Sequence, residues 1–281
     1  MRRLLAMALV GLCLGAPEVA SAFECTRSDS RCIVSLHWPA RNLPYVLRKP
    51  EASQFSEVDA MRAVDGAFER WASVACSDMR FTRVAILPPG PTNAVKNQVE
   101  LIDQGWNLEF EPSAAAITSV SYAVRSGLIR TATISVNEEV TTTSSACTGA
   151  FDLETVITHE VGHFIGLAHP CETPATIDPE DPCPVTMCSD LDPALTEDGR
   201  LPTMWPIVNA CDTQLASLES DDTQALCFVY PRSRPPQQCS AIPESGESLV
   251  TNEPFGCTST GAPSAWVLIA LLAWVRRRRR S

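Results

Sequence analysis

Three of the chain's four histidines fall inside one stretch, His159-Glu160-Val161-Gly162-His163-Phe164-Ile165-Gly166-Leu167-Ala168-His169, and no other feature limits the fold as strongly. Residues four apart on an α-helix differ by about 40° around its axis, so His159 and His163 project from one face of a helix running through them. Gly166 accepts the left-handed backbone that ends a helix, and a turn there brings His169 back toward the same point. A fold for this chain must therefore set a helix, a glycine turn and a third imidazole around one small volume.

Two histidines at this spacing on either side of a glutamate suit a metal ion. Three neutral imidazoles with one position left open describe a catalytic zinc site, whereas structural sites close with four protein ligands. Zinc held in this way lowers the pKa of bound water to about 7 and polarises a carbonyl group. Glu160, beside the first ligand, is placed to accept the water's proton and deliver it to a leaving amine. The reaction class is amide hydrolysis without a covalent acyl-enzyme. Cys171, two residues after His169, is the alternative that would close the site as a fourth ligand, and Glu160 would then have no task.

The ends of the chain read as addresses. Arg2 and Arg3 precede an apolar run from Leu4 to Leu14, and Ala20-Ser21-Ala22 supplies the small residues of a cleavage site, so residues 1–22 are expected to be a signal peptide. The run breaks at Gly15, Pro17 and Glu18, short of the ~20 apolar residues that span a bilayer. The twelve cysteines are scattered rather than set in metal-ribbon spacing, which suits a disulfide framework in an exported protein. The shortest loops, Cys25 with Cys32 and Cys211 with Cys227, are the expected pairs. With 22 basic against 33 acidic residues the formal net charge is −11, and it becomes more negative once the arginine-bearing termini are set aside, so no nucleic-acid partner is expected.

Residues 23–231 read as one α+β domain, long enough to bury its own core. Residues 43–47, 80–86, 98–102, 117–124 and 129–136 are β-rich or alternating and give five strand candidates. Ser56 and Asp59 open a helix in which Met61, Val64, Phe68 and Trp71 recur at helical spacing. A second helix is expected over about 152–165 and a third over about 221–228, the last capped by Ser220. Residues 170–202 form a Cys, Pro and acidic insertion. Its Asp178, Glu180, Asp181, Asp190 and Asp192 have the chemistry for Ca2+, a solvated acidic loop being the simpler expectation. Residues 232–256 read as a linker.

The histidine stretch resembles that of the metzincin endopeptidases, and other segments are similar to the matrixin branch. These are Trp38 to Leu47, Ala67-Phe68-Glu69-Arg70-Trp71, Ala132 to Asn137, Asp152-Leu153, and Ser220-Asp221-Asp222 leading to Tyr230-Pro231. The resemblance implies a twisted five-stranded mixed sheet with three main helices. It implies one catalytic zinc on His159, His163 and His169, and a methionine turn under the metal at Met204 in Thr203-Met204-Trp205-Pro206, with Met187 as competitor. It further implies an S1′ wall from Pro206, Ile207 and Val208, and a salt bridge from a cleaved N-terminus at Phe23 to Asp221 or Asp222. Matrixins hold a second zinc on histidines ahead of the catalytic helix; only His37 stands there, so that zinc is not expected, nor is cysteine-switch latency.

Gly256-Cys257, the apolar Trp266 to Val275 and the arginines 276–280 resemble the C-terminal sorting signals of myxobacterial surface proteins. That implies sorting machinery acting on a membrane-associated segment 257–281, processing near Cys257 with a lipid on that cysteine, and display on the outer surface; a retained inner-membrane anchor is the alternative. The resulting expectation is a monomeric, exported or surface-anchored zinc endopeptidase acting on protein or peptide substrates. A catalytically inactive zinc-containing adhesin and a zinc hydrolase of non-peptide amides are the competing readings.

Overall fold

Apolar residues alternating or continuous over short runs draw five segments into one mixed sheet, and capped amphipathic segments pack helices against it. The computed structural model describes residues 23–28, 32, 34–90, 96–143, 149–177, 183–191, 200–236 and 250–258. The expected signal peptide, the chain beyond 258, and Asp178, Glu180, Asp181 and Asp192 lie outside the described residues.

The elements in chain order are β1 (Glu24–Cys25), β2 (Asn42–Arg48), α1 (Glu57–Ala72), β3 (Arg80–Leu87), β4 (Gln98–Ile102), α2 (Trp106–Glu109), β5 (Ala114–Ala123) and β6 (Leu128–Asn137). There follow β7 (Thr141–Thr142), β8 (Phe151–Asp152), α3 (Leu153–Phe164), β9 (Leu167–Ala168), α4 (Ser220–Val229) and β10 (Val250–Thr258). The main sheet has the order β10-β5-β6-β4-β2-β3. Strands β3, β2, β4 and β6 run parallel, while β5 is antiparallel to β6. Each expected strand is present, and β10, which spans the junction at 256/257, adds a sixth antiparallel to β5.

Helix α1 starts where Ser56 Oγ accepts the Asp59 N–H at 3.0 Å, with Glu57 and Asp59 at the positive end of the dipole. Its buried stripe, Ala60, Ala63, Val64, Ala67, Phe68 and Trp71, faces the core. Helix α3 is capped by Asp152 Oδ1, which accepts the Thr155 N–H at 2.8 Å, and except for Glu154 all of its residues from Leu153 to Phe164 are buried. The two helices are tied where Trp71 Nε1 donates to Thr158 O at 2.8 Å and Arg70 Nε meets Glu154 Oε1 at 3.1 Å. Helix α4 departs from expectation at its first turn. Glu219, not Ser220, is the cap, and its N–H donates to Asp222 Oδ2 at 2.8 Å, because a carboxylate three residues into the helix reaches back farther than the short Ser220 side chain.

Both expected disulfides are replaced by others. Cys32 bonds Cys183, Cys76 bonds Cys227, and Cys171 bonds Cys188. Cys211 is disulfide-bonded too, though not to Cys227. Short sequence separation lost to tertiary placement: pairing of β1 with β9 turns Cys25 into the core, away from the loop that carries Cys32. The end of α1, beside Cys76, lies against the end of α4, where Arg232 N donates to Cys76 O at 2.8 Å.

Candidate metal centre

Helix α3 presents His159 and His163 side by side, and Gly166, at φ 92°, turns the chain after them. A Cβ at Gly166 would lie 2.5 Å from Leu36 O, so this turn needs glycine both for its backbone and for the close approach. The carbonyls left over at the end of α3 are satisfied by the fold around them. His163 O accepts from Gly166 N at 2.9 Å, Phe164 O from Trp38 Nε1 at 2.8 Å, and Ile165 O from the Tyr230 hydroxyl at 2.7 Å. The turn is thereby fastened to the chain on either side of the domain. Strand β9 follows, paired with β1, and delivers His169.

The three Nε2 atoms converge: His159 to His163 is 3.0 Å, His163 to His169 is 3.2 Å, and His169 to His159 is 3.2 Å. Each Nδ1 faces an acceptor. His159 Nδ1 donates to Thr203 O at 2.7 Å, His163 Nδ1 to Leu167 O at 2.9 Å, and His169 Nδ1 to a Glu172 carboxylate oxygen at 2.8 Å. With each Nδ1 facing an acceptor, the three Nε2 atoms are left turned toward one another, an arrangement suited to a shared cation. Tetrahedral zinc with Zn–N bonds of 2.0–2.1 Å sets its nitrogen ligands roughly 3.3 Å apart, close to the observed spacing. The donor set fits zinc. Cys171 is spent in its disulfide, so it does not close the set as a fourth ligand.

Burial holds the two rings on α3 neutral. It pushes His159 down to about 3, with the neighbouring His169 adding to the effect, and it holds His163 well below the ordinary imidazole range. Asp222 moves the other way, pushed up to about 7 by burial against the pull of three N–H groups. In acid, two unfolded histidines take up protons that the folded state refuses, while one aspartate takes up a proton only when folded. Two outweigh one. Metal-free protein is therefore expected to lose about 1.4 kcal/mol of stability per pH unit as pH falls from 6.5 toward 4. Urea unfolding at three pH values checks this, and a midpoint constant over that range would contradict the burial argument.

Glu160, between the two histidines of α3, is fully buried, and the Thr118 hydroxyl on β5 donates to its Oε2 at 2.6 Å. Met204 lies beneath α3, whereas Met187 forms a bridge with Glu172 at the edge of the site. A Cβ on Gly162 would fall 2.0 Å from Met204 Sδ and 3.1 Å from Trp71 Cζ2. Gly162→Ala gains ~1 kcal/mol of helix propensity but overpacks the core at a cost of about 1–3 kcal/mol or more, so a net loss of stability is expected. Combining it with Met204→Ala should recover part of that loss; strictly additive effects in thermal melts would count against the contact.

The Met204 segment is held by Asp222, whose carboxylate accepts the N–H groups of Thr203 at 2.8 Å and Met204 at 3.1 Å. The same segment supplies Thr203 O to His159, so α4 orients one of the three converging imidazoles through the backbone. Of the residues expected to wall a substrate pocket, Pro206 and Val208 are buried, Val208 within the main core, and Ile207 is partly exposed. Phe23 packs its ring on Phe228 of α4 with centroids 5.4 Å apart, and Asp221 is buried near the start of that helix. Cys257 lies on β10.

Sequence reasoning missed Thr118, Glu172, the tether of Asp222 to Met204, and the reason for Gly162. Only Gly162 left a signal, since a glycine inside a helix weakens it unless something must come close.

A helix bearing two of three convergent imidazoles, with a glutamate between them and a mixed sheet alongside, defines an α+β metallopeptidase of metzincin type. The family model for matrixins matches residues 37–180, just over half of the chain and including all three histidines and Glu160. The chain belongs to the matrixin family and is a metalloendopeptidase of the kind that depends on zinc. No curated protein matches it.

Proposed function

We propose that this chain is an exported zinc endopeptidase that hydrolyses protein or peptide substrates with Glu160 as general base. The observation that carries the reading is the convergence of three imidazole Nε2 atoms within 3.2 Å of one another, beside a buried glutamate. Zinc on His159, His163 and His169 supplies a Lewis acid and an acidified water. The chain's own groups do the rest. Thr203 O and Leu167 O hold two of the rings in the tautomer that turns Nε2 inward. Thr118 fixes one oxygen of Glu160, and the carboxylate takes a proton from the water and returns it to the departing amine. Burial of α3 keeps bulk water from competing for these groups.

Met204 serves as the methionine turn, and Pro206, Ile207 and Val208 shape the adjoining pocket. Asp221 is the counter-ion for the ammonium that signal cleavage would create at Phe23, and Asp222 remains engaged by its backbone donors. If the ammonium orders the site, a few residues added ahead of Phe23 lower activity; unchanged activity removes this role. Display at the cell surface through Cys257 and the C-terminal segment completes the reading, and the mass of the mature C-terminus tests it.

The deciding experiment is cleavage of a peptide library by oxidised, zinc-loaded protein, with and without a zinc chelator. Cleavage abolished by the chelator is expected. Bound zinc without cleavage would favour the adhesin reading, and cleavage that survives complete zinc removal would overturn the mechanism.

A further inference from the structure

The three imidazoles are not supported alike. His159 and His163 donate Nδ1–H to backbone carbonyls, whereas His169 donates to a carboxylate, Glu172 Oε1, at 2.8 Å. The Glu172 side chain is 17% exposed, and its second oxygen is buried without a hydrogen-bond partner. Its first oxygen is therefore the one that engages another side chain. What it touches is the third ligand.

The backbone shows that this placement is built. Glu172 N donates to Thr186 O at 2.8 Å, Cys188 N donates to Glu172 O at 2.9 Å, and the preceding residue, Cys171, is bonded to Cys188 with Cα atoms 4.9 Å apart. Both faces of the Glu172 peptide are thus pinned to the segment 186–188. Its side chain is aimed at His169 by a covalent staple and two hydrogen bonds, where the sequence alone shows one acidic residue among many in an insertion.

We propose that Glu172 is a positioning residue of the metal centre that fixes the His169 ring and, through its charge, strengthens His169 as a ligand. An imidazole whose N–H is partly drawn toward a carboxylate offers more electron density at its other nitrogen than one facing a neutral carbonyl. With zinc bound at the three imidazoles, a negative charge at Glu172 would also oppose ionisation of a zinc-bound water, exchanging some of its acidity for a firmer hold on the metal. The proposal rests on the zinc reading above.

Zinc affinity measured by competition with a chromogenic chelator, on oxidised full-length protein, tests it. Glu172→Gln keeps an acceptor for the His169 N–H and removes the charge; it is expected to weaken zinc binding about tenfold. Glu172→Ala removes both and is expected to weaken it by up to about 100-fold. The acid limb of kcat/KM should move to lower pH in Glu172→Gln, and the visible spectrum of Co2+-loaded protein should shift. Wild-type affinity in both variants would overturn the proposal. Full rescue by Glu172→Gln, with the acid limb and Co2+ spectrum unmoved, would reduce Glu172 to a structural prop and overturn its electrostatic role. If the wild-type protein itself holds no zinc, the metal reading fails first and this proposal falls with it.

Discussion

Replacing Glu160 with glutamine should leave one zinc per chain and lower peptide hydrolysis by about 10²–10⁴-fold, the range a positioned general base contributes. The substitution is close to isosteric, and the Thr118 hydroxyl that donates to Oε2 at 2.6 Å can donate as well to an amide oxygen. The convergent donors are three imidazole nitrogens, each oriented by a partner other than Glu160, so metal content has no reason to change. What disappears is a group able to accept a proton. Metal analysis together with initial rates on one cleaved peptide separates the outcomes. Hydrolysis at the wild-type rate by the zinc-loaded variant would remove Glu160 from the mechanism, and loss of zinc would show that it supports the site rather than the reaction.

The second large effect is on stability. Cys76 and Cys227 are 151 residues apart, so their bond closes a loop that contains every strand from β3 to β9, together with α3. Chain-entropy reasoning gives such a crosslink about 5 kcal/mol, most of it exerted on the unfolded chain. The folded contacts around it do not depend on the sulfurs: Arg232 Nε donates to Ala75 O at 2.8 Å and Arg232 Nη2 to Ser77 O at 2.8 Å. The Cys76→Ser/Cys227→Ser variant should therefore fold alike yet unfold about 4–5 kcal/mol more easily, as urea titration would measure. A loss under about 1 kcal/mol would contradict the entropic account. Cys32–Cys183 spans an equal separation of 151 residues and should behave similarly, whereas Cys171–Cys188, with a separation of 17, should contribute less, about 3 kcal/mol.

The histidine-bearing helix and the sheet were legible because their determinants are local. His159, His163 and Gly166 act through helical spacing and one positive φ, and the five strands announce themselves by alternation or by continuous β-branched runs. The capping of α1 by Ser56 follows from the same short-range chemistry. Local reasoning failed where a side chain's destination was set by another segment. Cys25 and Cys32 lie seven residues apart, yet β9 draws one inward while Cys183 takes the other. Asp222 reads as a helix-start carboxylate, and only the folded chain reveals that it grips the Met204 backbone. Glu172 was indistinguishable from its acidic neighbours until the bridge to Met187 gave it a direction.

The Cys171–Cys188 crosslink has a consequence for how the protein matures. While its cysteines are thiols, Glu172 rides on a segment held by two hydrogen bonds, and His169 is steadied less firmly. If Glu172 supports His169 as proposed, oxidation does two things at once: it locks the loop and firms the grip on zinc. On that proposal the reduced chain is the poorer scavenger of metal, and the site ripens on the same clock as disulfide formation.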